Sequence, residues 1–234
     1  MKLLHCLRRL FSPRGEDVLG WPDDDSWIPT TCTHAEFRLD AGYAVTPYVP
    51  GWMLPVGAPD DPPIPLPDLP EIAGHVLTAD AVGLEAELVH HFSRLPPLPG
   101  LACQREIAPF SSLSVNLLLC LPGEAPVVAD MFAGSRLAAA SLLDDLSDTA
   151  GVGGTVYDNQ DQGWALRILI EADAVLVLDW DPEEGDPREG ARALRLPRRA
   201  VAEQAAAARR RLDHLHATLL RALGRDLWSC PVQD

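Results

Sequence analysis

Between Val201 and Ala222 the residues Val201, Ala205, Ala208, Leu212, Leu215, Leu219 and Ala222 recur at steps of four and three. That spacing stacks side chains on one face of an α-helix. Pro197 sits where a first helical turn accepts it, and Gly224 stands where helices commonly stop. A helix of about six turns is therefore expected, and its apolar stripe has to be covered by something. A coiled-coil dimer would use the same spacing, but three alanines and the short length favour packing on a sheet.

The expected sheet comes just before that helix. Trp164, Leu166, Ile168 and Ile170 alternate with Ala165, Arg167, Leu169 and Glu171, the period of two that marks a half-buried strand. Ala172-Asp173 reads as a turn. Val175 to Asp181 returns as a partner strand, with Leu176, Leu178 and Trp180 on one face and Val175, Val177 and Asp179 on the other. An acidic loop from Asp181 to Gly190, containing Glu183, Glu184 and Asp186, leads to a short strand at Ala193 to Leu196. The expected fold is α+β: an antiparallel meander packed by a long carboxyl-terminal helix, beside an amino-terminal α/β lobe.

Signals in that first lobe are less regular. Strands are expected at Ala35 to Leu39, Tyr43 to Val49, Ala102 to Ala108, Leu113 to Leu121 and Pro126 to Phe132. Thr78 can cap a helix running to about Leu95, with Leu84, Leu88, Phe92 and Leu95 as its stripe and Pro96-Pro97 as its stop. A second helix is expected over Ser135 to Leu146, burying Leu137, Leu142, Leu143 and Leu146. Pro47 to Pro70 holds nine of the twenty-two prolines, so neither a helix nor a central strand runs through it. Its Trp52, Met53, Leu54, Ile64, Leu66 and Leu69 point to an extended segment wrapped on the body rather than a free linker. Gly151-Val152-Gly153-Gly154 is the expected joint between residues 1–150 and 151–234, which can also form one continuous domain.

Thirty-four acidic residues against nineteen basic ones give a net charge of −15. A field of that sign repels phosphate backbones and favours a basic partner, so nucleic acid is not expected. Met1 to Arg14 runs the other way, with Lys2, Arg8, Arg9 and Arg14 and no acid. Leu3, Leu4, Leu7, Leu10 and Phe11 there fall at helical spacing, but the arginines interrupt any signal-peptide core, and no membrane span is expected. Cys6, Cys32, Cys103, Cys120 and Cys230 are odd in number and widely spread. They fit a reducing, cytoplasmic setting better than a disulfide framework or a thiolate zinc site.

Signatures of chemistry are sparse. His90-His91 and His214-x-His216 lack the spacing that turns two imidazoles to one side of a helix, so no metal or other cofactor is expected. The glycines at 151–154 lack the Gly-Lys-Ser/Thr of a phosphate loop. A cysteine and histidine pair, Cys103 or Cys120 with His75 or His90, would need the fold to bring it together. Tyr157 to Trp164 contains the turn formers Asp158, Asn159, Asp161 and Gly163 but not the ligand register of a calcium loop.

The run Gly154-Thr-Val-Tyr-Asp-Asn-Gln-Asp-Gln-Gly-Trp-Ala-Leu-Arg-Ile, followed by Val-Leu-Asp-Trp-Asp181, resembles segments of bacterial immunity proteins of polymorphic toxin systems. The resemblance implies an acidic, cytosolic, stoichiometric inhibitor without catalytic residues. On that reading an acidic face binds a basic toxin through Asp158, Asp161, Trp164, Asp179, Trp180, Asp181, Glu183 and Glu184, with the tryptophans as anchors. An adaptor or chaperone of a secretion system or phage particle, gripping through the amino terminus or the proline-rich segment, is the alternative, and an enzyme with an unrecognised site is the third.

Overall fold

The computed structural model describes residues 21, 27–28, 33–45, 67–94, 114–129, 136–151, 153–161, 164–181 and 186–228. The expected amino-terminal helix, the strand at 102–108, most of the proline-rich segment and four of the five cysteines lie outside these residues.

The fold is α+β, and the described residues form two antiparallel four-stranded sheets. The first holds β1 (Arg38–Ala44), β2 (His75–Leu77), β3 (Val115–Cys120) and β4 (Val127–Ala129), in the order β2-β1-β3-β4. The second is a plain meander of β5 (Gly154–Asp161), β6 (Trp164–Ile170), β7 (Ala174–Trp180) and β8 (Arg192–Pro197). Helices α1 (Glu85–Ser93), α2 (Arg136–Ser147), the single turn α3 (Pro187–Gly190) and α4 (Arg198–Leu223) complete it.

α4 ends as its sequence dictates, with Gly224 at φ 68° and its N–H bonded to the Leu220 carbonyl 3.0 Å away. Val201, Ala205, Ala208, Leu212, Leu215 and Leu219 are all buried in one core. Ala222 is exposed, so the buried stripe stops one turn earlier than its spacing predicts. The core takes the inner faces of both sheets: Leu39, Ala41, Tyr43, Leu117 and Leu119 from the first, and Leu166, Ile168, Val175, Val177 and Leu196 from the second. α2 adds Leu142, Leu143 and Leu146, whereas Leu137, expected inside, is 42% exposed. Each fully buried leucine contributes ~1.5–3 kcal/mol, which explains why helix and sheets hold one another.

β2 pairs only with Gly42–Ala44, and the earlier part of that side of β1 is finished by α4. The Gln204 carboxamide accepts from Leu39 N–H at 2.7 Å and donates to the Phe37 carbonyl at 3.2 Å, doing what a neighbouring strand would do. Beside it Asp40 is fully buried and fully satisfied. Its carboxylate accepts from Thr78 Oγ1 (2.5 Å), Ala41 N (2.9 Å), Ala79 N (2.9 Å) and Arg211 Nη2 (3.0 Å).

That network corrects two expectations. Thr78 does not cap a helix, because its hydroxyl is taken by Asp40; turns fill 78–83, Gly83 adopts φ 81°, and α1 starts only at Glu85. Leu84 consequently lies outside the helix and is 45% exposed. One strand, β1, also runs unbroken from the first expected strand at 35–39 into the second at 43–49, of which residues 46–49 lie outside the described residues. Asp40 and Gly42 look like turn residues in sequence, but Asp40 is pinned and a Cβ at Gly42 would stand 2.8 Å from Leu118 Cδ1.

The glycine joint is tied rather than loose. Arg198, the first residue of α4, donates to the carbonyls of Gly151 (3.0 Å), Asp148 (3.3 Å) and Glu171 (3.1 Å). A Cβ at Gly153 would stand 2.5 Å from the Ile170 carbonyl oxygen, so that strand approach requires glycine.

β6 is not half-buried as its alternation predicts. Its outer face is covered too: Leu169, Leu176 and Leu178 form a second small core with Trp21, Trp27 and Ile28, which precede β1 in the chain.

Candidate functional site

The described residues expected to bind a partner lie toward the end of the second sheet away from the start of α4. Ala174, at the other end of β7, pairs with Pro197 immediately before α4, and Asp179 lies five residues farther on, roughly 17 Å along the strand.

Strand alternation divides the set. The register places Leu166 opposite Asp179 and Ala165 opposite Trp180, so Trp164 and Asp179 belong to the inner face while Asp158 and Trp180 belong to the outer one. Asp161 closes β5 opposite Trp164. Trp164 is partly buried against the main core. Glu183 and Glu184 lie outside the described residues, between Asp181 and Asp186.

The outer pair is already engaged. Asp158 is bonded to Arg167 at 3.1 Å, and that guanidinium lies 5.1 Å from the centre of the Trp21 ring. Trp180 is 3% exposed, with its ring 5.4 Å from Trp21. It is a core residue of the outer layer in the free protein, not a surface anchor. Asp186 is also engaged: it caps α3 through Arg188 N at 2.8 Å, and that bond, with the neighbouring guanidinium, lowers its carboxyl below the ordinary range.

Asp179 differs from all of these. It is half-buried, accepts no hydrogen bond and stands in no ion pair among the described residues. Burial pushes its carboxyl above the ordinary value of 3.8, opposed only by the charge of Arg192 across the strand pair. Arg192 is itself bonded to Glu124, which follows β3 of the first sheet. The sequence marked Asp179 as acidic, but its want of a counter-ion depends on Glu124, fifty-five positions away, and no local pattern shows that.

Cys103, one of the two cysteines considered for a nucleophile pair, lies outside the described residues, and Cys120 does not meet His75. Cys120 and His75 are held apart: His75 pairs by side chain with Asn116, which is four residues from Cys120 along β3, roughly 13 Å. His75 Nδ1 donates to the Ala73 carbonyl (2.7 Å) and its Nε2 accepts from Asn116 (2.9 Å), which fixes the tautomer. Burial raises the Cys120 thiol, the reverse of activation. His91 is buried and His90 exposed, as adjacent helical positions must be, and His216 is buried while His214 is exposed. Among the described residues no three His, Cys, Asp or Glu gather as a metal site, and no helix is long and apolar enough to cross a membrane.

No family model, no curated protein and no solved structure matches this chain.

Proposed function

We propose that the chain is a non-enzymatic binding protein of the immunity type, acting in the bacterial cytoplasm, which receives a cationic segment of a toxin or other basic protein at the far end of its second sheet. The observation that carries this reading is Asp179. A half-buried carboxylate with no hydrogen bond or ion pair among the described residues costs stability, and an incoming arginine or lysine would remove that cost. Asp181 lies two positions on along the chain, Glu183 and Glu184 follow, and Trp164 supplies an aromatic surface on the same face of the neighbouring strand. The net charge of −15 would speed the encounter, since steering acts on the whole field of the protein.

The test is quantitative capture from a lysate of the native host with wild-type protein and with the quadruple variant D179N/D181N/E183Q/E184Q. The reading predicts a basic protein held by the wild type, released at high salt and lost with the variant. The same proteins on both baits, or no basic protein on either, would overturn it.

A further inference from the structure

A second site lies on the opposite charge principle, in the cleft between the turn before α1 and the outer side of α4. Its volume is about 170 Å³. Ala81 and Leu215 give it an apolar floor and Val82, 63% exposed, an aliphatic wall; Arg210, Arg211 and His214 reach it from α4.

The three cationic or donor side chains are unequal in a useful way. Arg211 is held rigid, with Nε on Thr78 Oγ1 at 3.2 Å and Nη2 on Asp40 at 3.0 Å, so its Nη1 edge is fixed in place with no bond of its own. Arg210 makes no hydrogen bond or ion pair, and the His214 ring makes none, among the described residues. Most other arginines of the described body are committed: Arg38 to Asp80, Arg136 to Asp213, Arg167 to Asp158, Arg192 to Glu124 and Arg195 to Glu171. In a chain so rich in acids, a free guanidinium beside a preset one is a place for an anion from outside.

We infer that this cleft binds a monoanionic carboxylate attached to a short aliphatic group, the carboxylate between Arg210 and the Nη1 edge of Arg211 and the aliphatic part against Val82, Ala81 and Leu215. The planar fork of a guanidinium matches a carboxylate. A dianionic phosphate fits less well, because Glu85 lines the same cleft and Asp40 already compensates Arg211. No Phe, Tyr or Trp lines the cleft, so a nucleobase lacks a large aromatic face there. The carboxylate can belong to a free branched-chain acid or to the carboxyl terminus of a peptide ending in an aliphatic residue.

Isovalerate, isovaleramide, N-acetyl-glycyl-leucine and inorganic phosphate, each titrated into the full chain and followed by the NMR signals of Val82 and of the Arg210 and Arg211 Nε–H groups, decide the matter. The inference predicts saturable shifts with isovalerate, none with the neutral amide, and a loss of roughly tenfold or more in affinity in Arg210→Gln, the fold-change for one charge-assisted hydrogen bond. Tighter binding of the peptide acid than of isovalerate assigns the site to a peptide terminus; equal or weaker binding assigns it to a free acid. Equal binding of acid and amide, phosphate binding as tightly as isovalerate, or no saturable shift with either carboxylate would overturn the inference. Val82→Asp, which places a carboxylate on the cleft wall without touching Arg211, should abolish binding while the spectrum of the rest of the chain is retained.

Discussion

Asp40 and Asp179 are both carboxylates on sheet strands, both removed from full solvent, and the fold treats them in opposite ways. Asp40 lies where α4 crosses the first sheet and receives four hydrogen bonds, from a hydroxyl, two backbone amides and a guanidinium. Asp179 lies on β7 of the second sheet, away from the β8–α4 junction, and its carboxylate receives none among the described residues. Around Asp40 every partner is in place and the carboxylate serves the fold. At Asp179 a carboxylate is left in a condition that costs stability, and such residues are where binding sites tend to be found.

Removing Asp40 should separate the two regions most sharply. Asp40→Ala strands Arg211 and Thr78 and should cost about 3 kcal/mol or more, as breaking a buried charged network does. A urea midpoint within error of wild type would break the comparison. Gln204→Leu leaves the β1 edge without its substitute partner, and the loss of two hydrogen bonds should cost about 1–2 kcal/mol by the same measurement.

His216 probes α4 at a less satisfied place. It is buried against Trp228, its Nε2 lies 3.3 Å from Asp226, and its Nδ1 has no partner. Burial depresses its pKa below 6.5, with the Arg136 charge acting in the same direction and Asp226 and Asp213 opposing. The unfolded chain therefore binds the proton first, so the stabilising contribution is complete above pH 6.5 and is lost as pH falls through the lower, folded value. Stability followed by urea unfolding should decline over that acid window in wild type and decline less in His216→Phe; parallel curves would contradict the assignment.

Asp179→Asn should give the smallest change and one of opposite sign. Its folded pKa is raised, so its contribution is favourable below 3.8 and lost as pH rises through the folded value. At neutral pH the asparagine variant should be slightly more stable than wild type while losing its partner. A destabilised variant would show that Asp179 serves the fold as Asp40 does.

What the sequence made legible follows from how local each cause is. The β6–β7 hairpin and α4 are written in periodicity, and their observed limits, Trp164–Trp180 and Arg198–Leu223, lie close to the expected ones. β1 was not legible, because Asp40 and Gly42 make sense in a strand only with Thr78, Arg211 and Leu118 beside them. The cover on the outer face of β6 comes from Trp21 and Trp27, more than 130 residues away, so alternation alone gave one buried face where there are two. The same outer layer takes Trp180 and Asp158 out of the proposed contact surface and leaves Asp179 at its centre.

The most direct test is a ¹³C NMR titration of the Asp179 carboxyl, in the free protein and with added tri-arginine peptide. The account predicts a midpoint above 3.8 in the free protein that moves down when the peptide is present. A midpoint at or below 3.8 in the free protein, or one that the peptide does not move, would contradict it.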